Sequence, residues 1–292
     1  VITAHAVSEV RAAIASARND GARVGFVPTM GYLHEGHLSL LDLAKRRGAD
    51  FVVTSVFVNP TQFGPGEDLA TYPRDEKRDA RLLAERGADL LFLPTARAIY
   101  PDGFATRVSV SGVSEPLEGE RRPGHFDGVA TVVLKLLNIV RPDIAVFGRK
   151  DAQQCAVVRR MAIDLDLPVE LVFGDTVREQ DGLAMSSRNA YLSAENRALA
   201  PRFHEALRAG AALLRAGSKS IDAIESAMCD YLARWNGLEV DYMKLVDPET
   251  FAAPADFDRE LLLVGAVRIG STRLIDNISI DRSPEGGRLA PA

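Results

Sequence analysis

The chain has 292 residues, and its 35 Lys and Arg stand against 40 Asp and Glu with no basic stripe, which argues against a nucleic-acid partner. A hydrophobic content of 47% supplies a core, yet no apolar run reaches the roughly 18 residues that a membrane span needs. The two cysteines, Cys155 and Cys229, suggest neither a disulfide framework nor a thiolate metal site.

The N-terminal stretch VITAHAVSEVRAAIASARNDG interrupts its apolar positions with charges and lacks the apolar block of a signal peptide, so a cytoplasmic protein is expected. Apolar runs then recur as GFVP at 25–28, FVVTSVFV at 51–58, DLLFLP at 89–94, DIAVFG at 143–148 and VELVFG at 169–174. Helical periodicity fills the intervals at 36–47, 74–86, 126–140 and 151–165. Strands that are apolar throughout and alternate with helices predict a doubly wound parallel α/β sheet covered on both faces. Ligands of such sheets sit beyond the carboxyl ends of the strands, here the loops that start at Pro28, Asn59, Gly148 and Gly174.

The rhythm changes near residue 176. A polar loop, VREQDGLAMSSRNAYLS, leads into two Ala-rich helical stretches and then into LEVDYMKLV, ELLLVGAVRIG and TRLIDNISI, whose alternation marks half-exposed strands. The expected organisation is therefore residues 1–176 as the larger domain and 177–292 as a smaller α+β domain. The tail DRSPEGGRLAPA reads as disordered. The basic run Lys45-Arg46-Arg47 closes a predicted helix, where cations complement the dipole.

The histidines of VPTMGYLHEGHLSL pose the first chemical question. Zinc-protease helices place two histidines four apart around a glutamate, whereas His34 and His37 are three apart with Gly36 between them, and no third ligand follows at a recognisable spacing. Two such histidines can simply cap a helix or pack in a core, but at a helix start the pair has another use. Unpaired N–H groups and the dipole favour an anion there, and Gly36 leaves room for a phosphate to come close. Neither GxxxxGK[ST] nor GxGxxG occurs, so a P-loop kinase and an ordinary dinucleotide enzyme both lose support. Far along the chain, Met185-Ser186-Ser187-Arg188-Asn189 adds two hydroxyls and a guanidinium on a loop that could close over a triphosphate.

Long strings now carry a resemblance. VPTMGYLHEGH at 27–37, VFVNPTQFGPGEDLATYPR at 56–74, RPGHFDGVATVVLKLLNIVRPDIAVFGRKDAQQ at 122–154 and REQDGLAMSSRNAYLS at 178–193 resemble the pantothenate synthetase family of ATP-dependent pantoate–beta-alanine ligases. The resemblance implies a Rossmann-like fold of the nucleotidylyltransferase type, with a C-terminal lid domain that carries the MSSRN loop. It implies a reaction in which ATP activates pantoate as an adenylate and beta-alanine then takes the pantoyl group, giving pantothenate, AMP and pyrophosphate.

By the same resemblance, His34, His37 and Lys150 serve the phosphates as catalytic groups, and Met30, Gly36, Gly148, Asp151, Val177 and Met185 contact the nucleotide. Ser186, Ser187 and Arg188 hold the triphosphate, and Gln62 and Gln154 hold pantoate. Mg2+ is expected between phosphate oxygens. Asp79 aligns with a metal-associated acid of the family, although Arg78 stands where some relatives have a second acid, and a solvated helix acid is the alternative. Asn59, Arg122, His125 and Arg149 fall in the matched strings without an assigned role, Asn59 being a candidate support for the substrate loop. The family implies a homodimer. Two other readings of the residues stay open, a nucleotidyltransferase that stops after joining a nucleotide to a phosphorylated alcohol, and an ATP-sensing module.

Overall fold

A computed structural model describes residues 1–281, and the expected disordered tail lies, from residue 282 on, outside the described residues. The chain divides into two compact units, Val1–Arg149 with Val157–Val177, and Lys150–Ala156 with the chain from Arg178 onward.

In the first unit the strands are β1 (Ile2–Ala4), β2 (Val24–Thr29), β3 (Phe51–Val56), β4 (Leu90–Phe92), β5 (Ile144–Gly148) and β6 (Glu170–Gly174). They form one parallel sheet in the order β1-β4-β3-β2-β5-β6. The helices are α1 (Val7–Asn19), α2 (Glu35–Arg46), α3 (Glu76–Glu85), the one-turn α4 (Ala96–Ile99) and α5 (Glu118–Arg121), α6 (His125–Val140) and the part from Val157 on of α7 (Ala152–Asp164), whose first residues count with the second unit. Leu38, Leu41 and Ala44 of α2 and Leu83 of α3 close over Val27, Val52, Leu91 and Val146 of the sheet. Such burial of aliphatic side chains contributes about 1.5–3 kcal/mol each. α1 packs against α6 and β2.

The expected strands all form. β1 and α1 went unread, because three residues with one buried position give no periodicity and the charges of α1 obscure its apolar stripe of Val10, Ile14 and Ala17.

The order of strands reverses between β2 and β5, and there the sheet parts. β2 pairs with β3 along its whole length but with β5 only at Gly25 and Phe26. Val24 gives its carbonyl to Asp143 on the β5 side and Thr29 gives its carbonyl to Phe57 on the β3 side. Backbone groups alternate in direction along a strand, so the nitrogen of Pro28 faces β5, and it has no hydrogen to offer. The gap opens at the carboxyl ends, where doubly wound sheets bind ligands.

In the second unit β7 (Leu238–Val246), β8 (Leu261–Ile269) and β9 (Thr272–Ile280) form an antiparallel sheet in that order. The helices α8 (Ala194–Leu199), α9 (Pro201–Arg215) and α10 (Ile221–Leu232) follow a single-turn helix at Ser187–Tyr191. Phe203 and Leu207 of α9 and Met228 of α10 fill a core with Leu245, Leu263 and Val267 of the sheet. Among the described residues no helix is long and apolar enough to cross a membrane.

Candidate active site

The carboxyl end of β2 runs through Met30 and Gly31 into His34, the N-cap of α2. The histidines cap each other. His34 Nδ1 accepts the N–H of Gly36 at 3.2 Å, and His37 Nδ1 accepts the N–H of His34 at 3.4 Å, with ring centroids 4.1 Å apart. This is the reciprocal logic of a capping box, with imidazoles in place of the usual hydroxyl and carboxylate. An Nδ1 that accepts leaves the proton of a neutral ring on Nε2. Both imidazoles thus carry an Nε2–H donor at the positive end of a helix.

The turn into α2 is held from the neighbouring helix α3. Asp79 on α3 accepts the N–H of Tyr32 at 2.7 Å and of Leu33 at 2.8 Å, while Arg78 donates to the Leu33 carbonyl at 2.9 Å and lies over the Tyr32 ring. Gly31 takes a φ of 85°, and a side chain there would meet Val56 at 2.8 Å and the Asp79 carboxylate at 3.1 Å. Asp79 is 1% exposed, and this burial raises its pKa against the effect of its two backbone donors. Each carboxylate oxygen is engaged by a backbone N–H, so the side chain clamps the turn. The alternative of a solvated helix acid fails on the same burial.

Gln62 ends a single-turn helix, Pro60–Gln62, whose N-cap is Asn59. Asn59 Nδ2 donates to Gln62 Oε1 at 3.0 Å and to the Gly128 carbonyl at 3.2 Å. Its own Oδ1 receives Tyr100 Oη at 2.8 Å and Thr61 Oγ1 at 2.9 Å, which fixes the amide's orientation. Gln62 Nε2 consequently donates to Met30 Sδ at 3.3 Å, so two of the expected contact residues meet. α6 packs flush against this loop: a Cβ on Gly128 would lie 2.4 Å from the Thr61 carbonyl oxygen. Behind it, His125 Nδ1 stands 2.8 Å from the Gln62 carbonyl and Arg122 pairs with Glu67. Gln62 and His125 border a cavity of about 600 Å³.

Gly148 ends β5, and Arg149, which sequence left without a role, donates from Nε to the Phe173 carbonyl of β6 at 3.3 Å. Val177 is the last residue of the first unit.

Lys150, Asp151 and Gln154 belong to the second unit, as do Met185, Ser186, Ser187 and Arg188. Lys150 Nζ lies 3.7 Å from Asp151 Oδ1, and its backbone carbonyl accepts Asn277 Nδ2 of β9 at 2.9 Å. Gln154 stands in the first turn of α7. The loop before MSSRN is a tight hairpin, with Glu179 N–H on the Leu183 carbonyl at 2.8 Å and Gly182 N–H on the Glu179 carbonyl at 2.9 Å. Arg178 anchors that hairpin to β9 through a two-pronged bond to Asp276, at 2.6 and 2.9 Å. Ser186 Oγ caps the following turn by accepting the Arg188 N–H at 3.3 Å, Ser187 is buried, and Asn189 donates to the Ala184 carbonyl. The serine–arginine loop is thus braced on both sides by hydrogen bonds.

Sequence reasoning missed Tyr100, Gly128, Asp276 and Asn277. Only the Asn59-Pro60 step, a cap followed by a proline, carried a local signal for any of this network.

Comparisons with known proteins show which family the chain resembles. The sequence profile of the family described as Pantoate-beta-alanine ligase matches residues 2–279. A pantothenate synthetase of Syntrophotalea carbinolica is 53% identical over 271 residues, covering 93% of this chain and 95% of the relative. One from Pseudomonas aeruginosa is 51% identical over 280 residues, 95% of this chain and 98% of the relative. The crystal structure of pantothenate synthetase from Thermus thermophilus superposes with a TM-score of 0.90 at 49% identity, over 97% of this chain and all 100% of the other. That of a Francisella tularensis pantoate-beta-alanine ligase, complexed with beta-gamma ATP and beta-alanine, gives 0.76 at 33% identity, over 95% and 97%.

Proposed function

The chain belongs to the pantoate–beta-alanine ligase family, and from that premise we propose how its residues divide the chemistry. The reaction is the ATP-dependent condensation of pantoate with beta-alanine to pantothenate, AMP and pyrophosphate through an enzyme-bound pantoyl adenylate. A carboxylate oxygen of pantoate bonds to the α-phosphorus of ATP as the bond to pyrophosphate breaks. The neutral amine of beta-alanine then bonds to the acyl carbon, AMP leaves, and the amine nitrogen gives up a proton. No protein nucleophile is needed, so the protein acts by orientation and by stabilising charge.

The observation that carries the assignment is the reciprocal histidine cap, which puts the ring protons of His34 and His37 on Nε2 at the start of α2. These donors serve the phosphates. Lys150 adds a fixed cation, Met30, Gly36, Gly148, Val177 and Met185 contact the nucleotide, and Asp151 contacts its ribose. Ser186, Ser187 and Arg188 hold the triphosphate. Gln62 and Gln154 read pantoate, Gln62 with a carboxamide whose Oε1 is held by Asn59. The described residues gather no group of three or more His, Cys, Asp or Glu side chains suited to a cation. Mg2+ therefore fits as an ion carried on ATP phosphate oxygens, where it would neutralise phosphate charge, rather than in a protein cage. The family resemblance supports a homodimer working in the cytoplasm, and sedimentation velocity checks the assembly.

Pantoate labelled with oxygen-18 in its carboxylate tests the route. Label is expected in AMP, because the attacking oxygen stays on phosphorus when the amine displaces the nucleotide. Label confined to inorganic phosphate would overturn the adenylate.

A further inference from the structure

We propose that His125, aimed by Arg122 and Glu67, is a positioning residue that holds the Gln62 backbone and so the place of the carboxamide that Asn59 orients, and with it the recognition of the acid substrate. The proposal rests on the reading of Gln62 as a pantoate contact. Its observations are separate from that reading.

Gln62 lies where the chain leaves a single turn of helix, and no strand pairs with it. Its carbonyl is met instead by a side chain, His125 Nδ1 at 2.8 Å. The other ring nitrogen, Nε2, is 3.0 Å from Arg122 Nη1. A guanidinium only donates, so Nε2 must present its lone pair, and the proton of the neutral ring must sit on Nδ1. That is the one tautomer able to bond both neighbours. A protonated ring would turn an N–H against an N–H. Burial first, and then the Arg122 charge, pull the His125 pKa down to about 4, so the ring is neutral under ordinary conditions. The charged groups facing it are Arg122, Glu118 and Glu67.

Arg122 is itself fixed. Its Nε and Nη2 donate to the two Glu67 oxygens at 2.9 and 2.6 Å, and Nη2 also reaches the Gln62 carbonyl at 3.5 Å. Burial opposes ionisation of Glu67, but the bonds from Arg122 outweigh it and hold the carboxyl below its ordinary range. The fork geometry of such a pair locks the guanidinium plane, which a lysine would not do. At the other end Asn59 holds Gln62 Oε1. Gln62 is gripped at carbonyl and carboxamide, and a small tilt of its backbone would swing Nε2 away from whatever acceptor it reads. Errors of about 1 Å in such placement cost roughly a hundredfold.

The test compares His125→Phe, His125→Asn, Gln62→Ala and the Gln62→Ala/His125→Phe double variant in pyrophosphate exchange, with pantoate and ATP varied separately. His125→Phe is expected to raise KM for pantoate about tenfold or more while KM for ATP stays within about twofold. His125→Asn puts an amide N–H where Nδ1–H stood and should restore most of the loss. On the Gln62→Ala background His125→Phe should add less than about twofold, because it acts through Gln62. If Gln62→Ala raises the pantoate KM and His125→Phe does not, the proposal falls and the reading of Gln62 stands. A parallel rise in both KM values, or no rescue by Asn, leaves His125 a packing residue and also overturns it. Gln62→Ala without effect removes the Gln62 reading and the proposal together. Nitrogen-15 NMR of the unmodified enzyme decides the matter where a variant does not fold: a protonated Nδ1 and a bare Nε2 at His125 are expected, and the opposite tautomer overturns the proposal.

Discussion

Asp79 accepts the backbone N–H of Leu33 at 2.8 Å although 46 residues separate the two along the chain. With the Tyr32 bond beside it, the carboxylate holds a turn whose Tyr32 sits at a φ of 50°, just ahead of the histidine cap. An amide in its place keeps one acceptor and points an NH2 at the second donor. Asp79→Asn is therefore expected to lower stability in urea titration by about 1–3 kcal/mol. The Mg2+ concentration for half-maximal pyrophosphate exchange should stay as in the parent. A large shift in that concentration with unchanged stability would assign Asp79 to the metal instead.

Lys150 is expected to show a graded dependence on its support. Lys150→Ala removes the cation and should slow the adenylation half-reaction about a hundredfold or more. Asn277→Ala leaves the ammonium present but releases the backbone carbonyl that Asn277 Nδ2 grips at 2.9 Å, so a loss of roughly tenfold is expected, with the circular dichroism spectrum retained. Single-turnover formation of the adenylate is the measurement. Equal rates for Asn277→Ala and the parent would show that the grip has no bearing on the chemistry.

The neutral His125 gives stability a pH dependence of definite sign. In the unfolded chain the imidazole takes up a proton below about 6.5, whereas in the fold it stays neutral down to about 4. The unfolded state thus binds more protons between these values. The contribution is complete above pH 6.5 and is lost as pH falls toward 4, to a total of about 3 kcal/mol. The difference in urea-derived stability between the parent and His125→Asn should shift by that order across the window, while carboxylates common to both cancel. A difference that is flat with pH would contradict the buried neutral ring.

Most of the first unit's framework was legible because its strands are buried on both faces and read as continuous apolar runs, such as FVVTSV at β3. The place of the histidines was legible for a similar reason, since a strand giving way to a helix start is a local pattern. How they cap each other was not. Rules for helix caps expect a hydroxyl or carboxylate at His34 and a glutamate at His37, so the pair signals nothing of the sort. The clamp that Asp79 makes was not legible, because sequence displays its charge but not the backbone donors waiting on another element. Asn277 and Lys150, 127 positions apart, have no local signal at all. The hairpin before MSSRN shows the same limit: Arg178 reads as a polar loop residue until Asp276 is seen beside it.

Pro28 bears on this from the side of the backbone. Its nitrogen faces β5 one step past the last β2–β5 pair, at Phe26. Had an ordinary residue stood there, the two strands would have had a donor with which to go on zipping, and each further pair would narrow the gap at their carboxyl ends. Proline forbids that rung chemically, whatever the side chains around it do. The gap between β2 and β5 is in this sense an interruption written into the main chain rather than into any side chain.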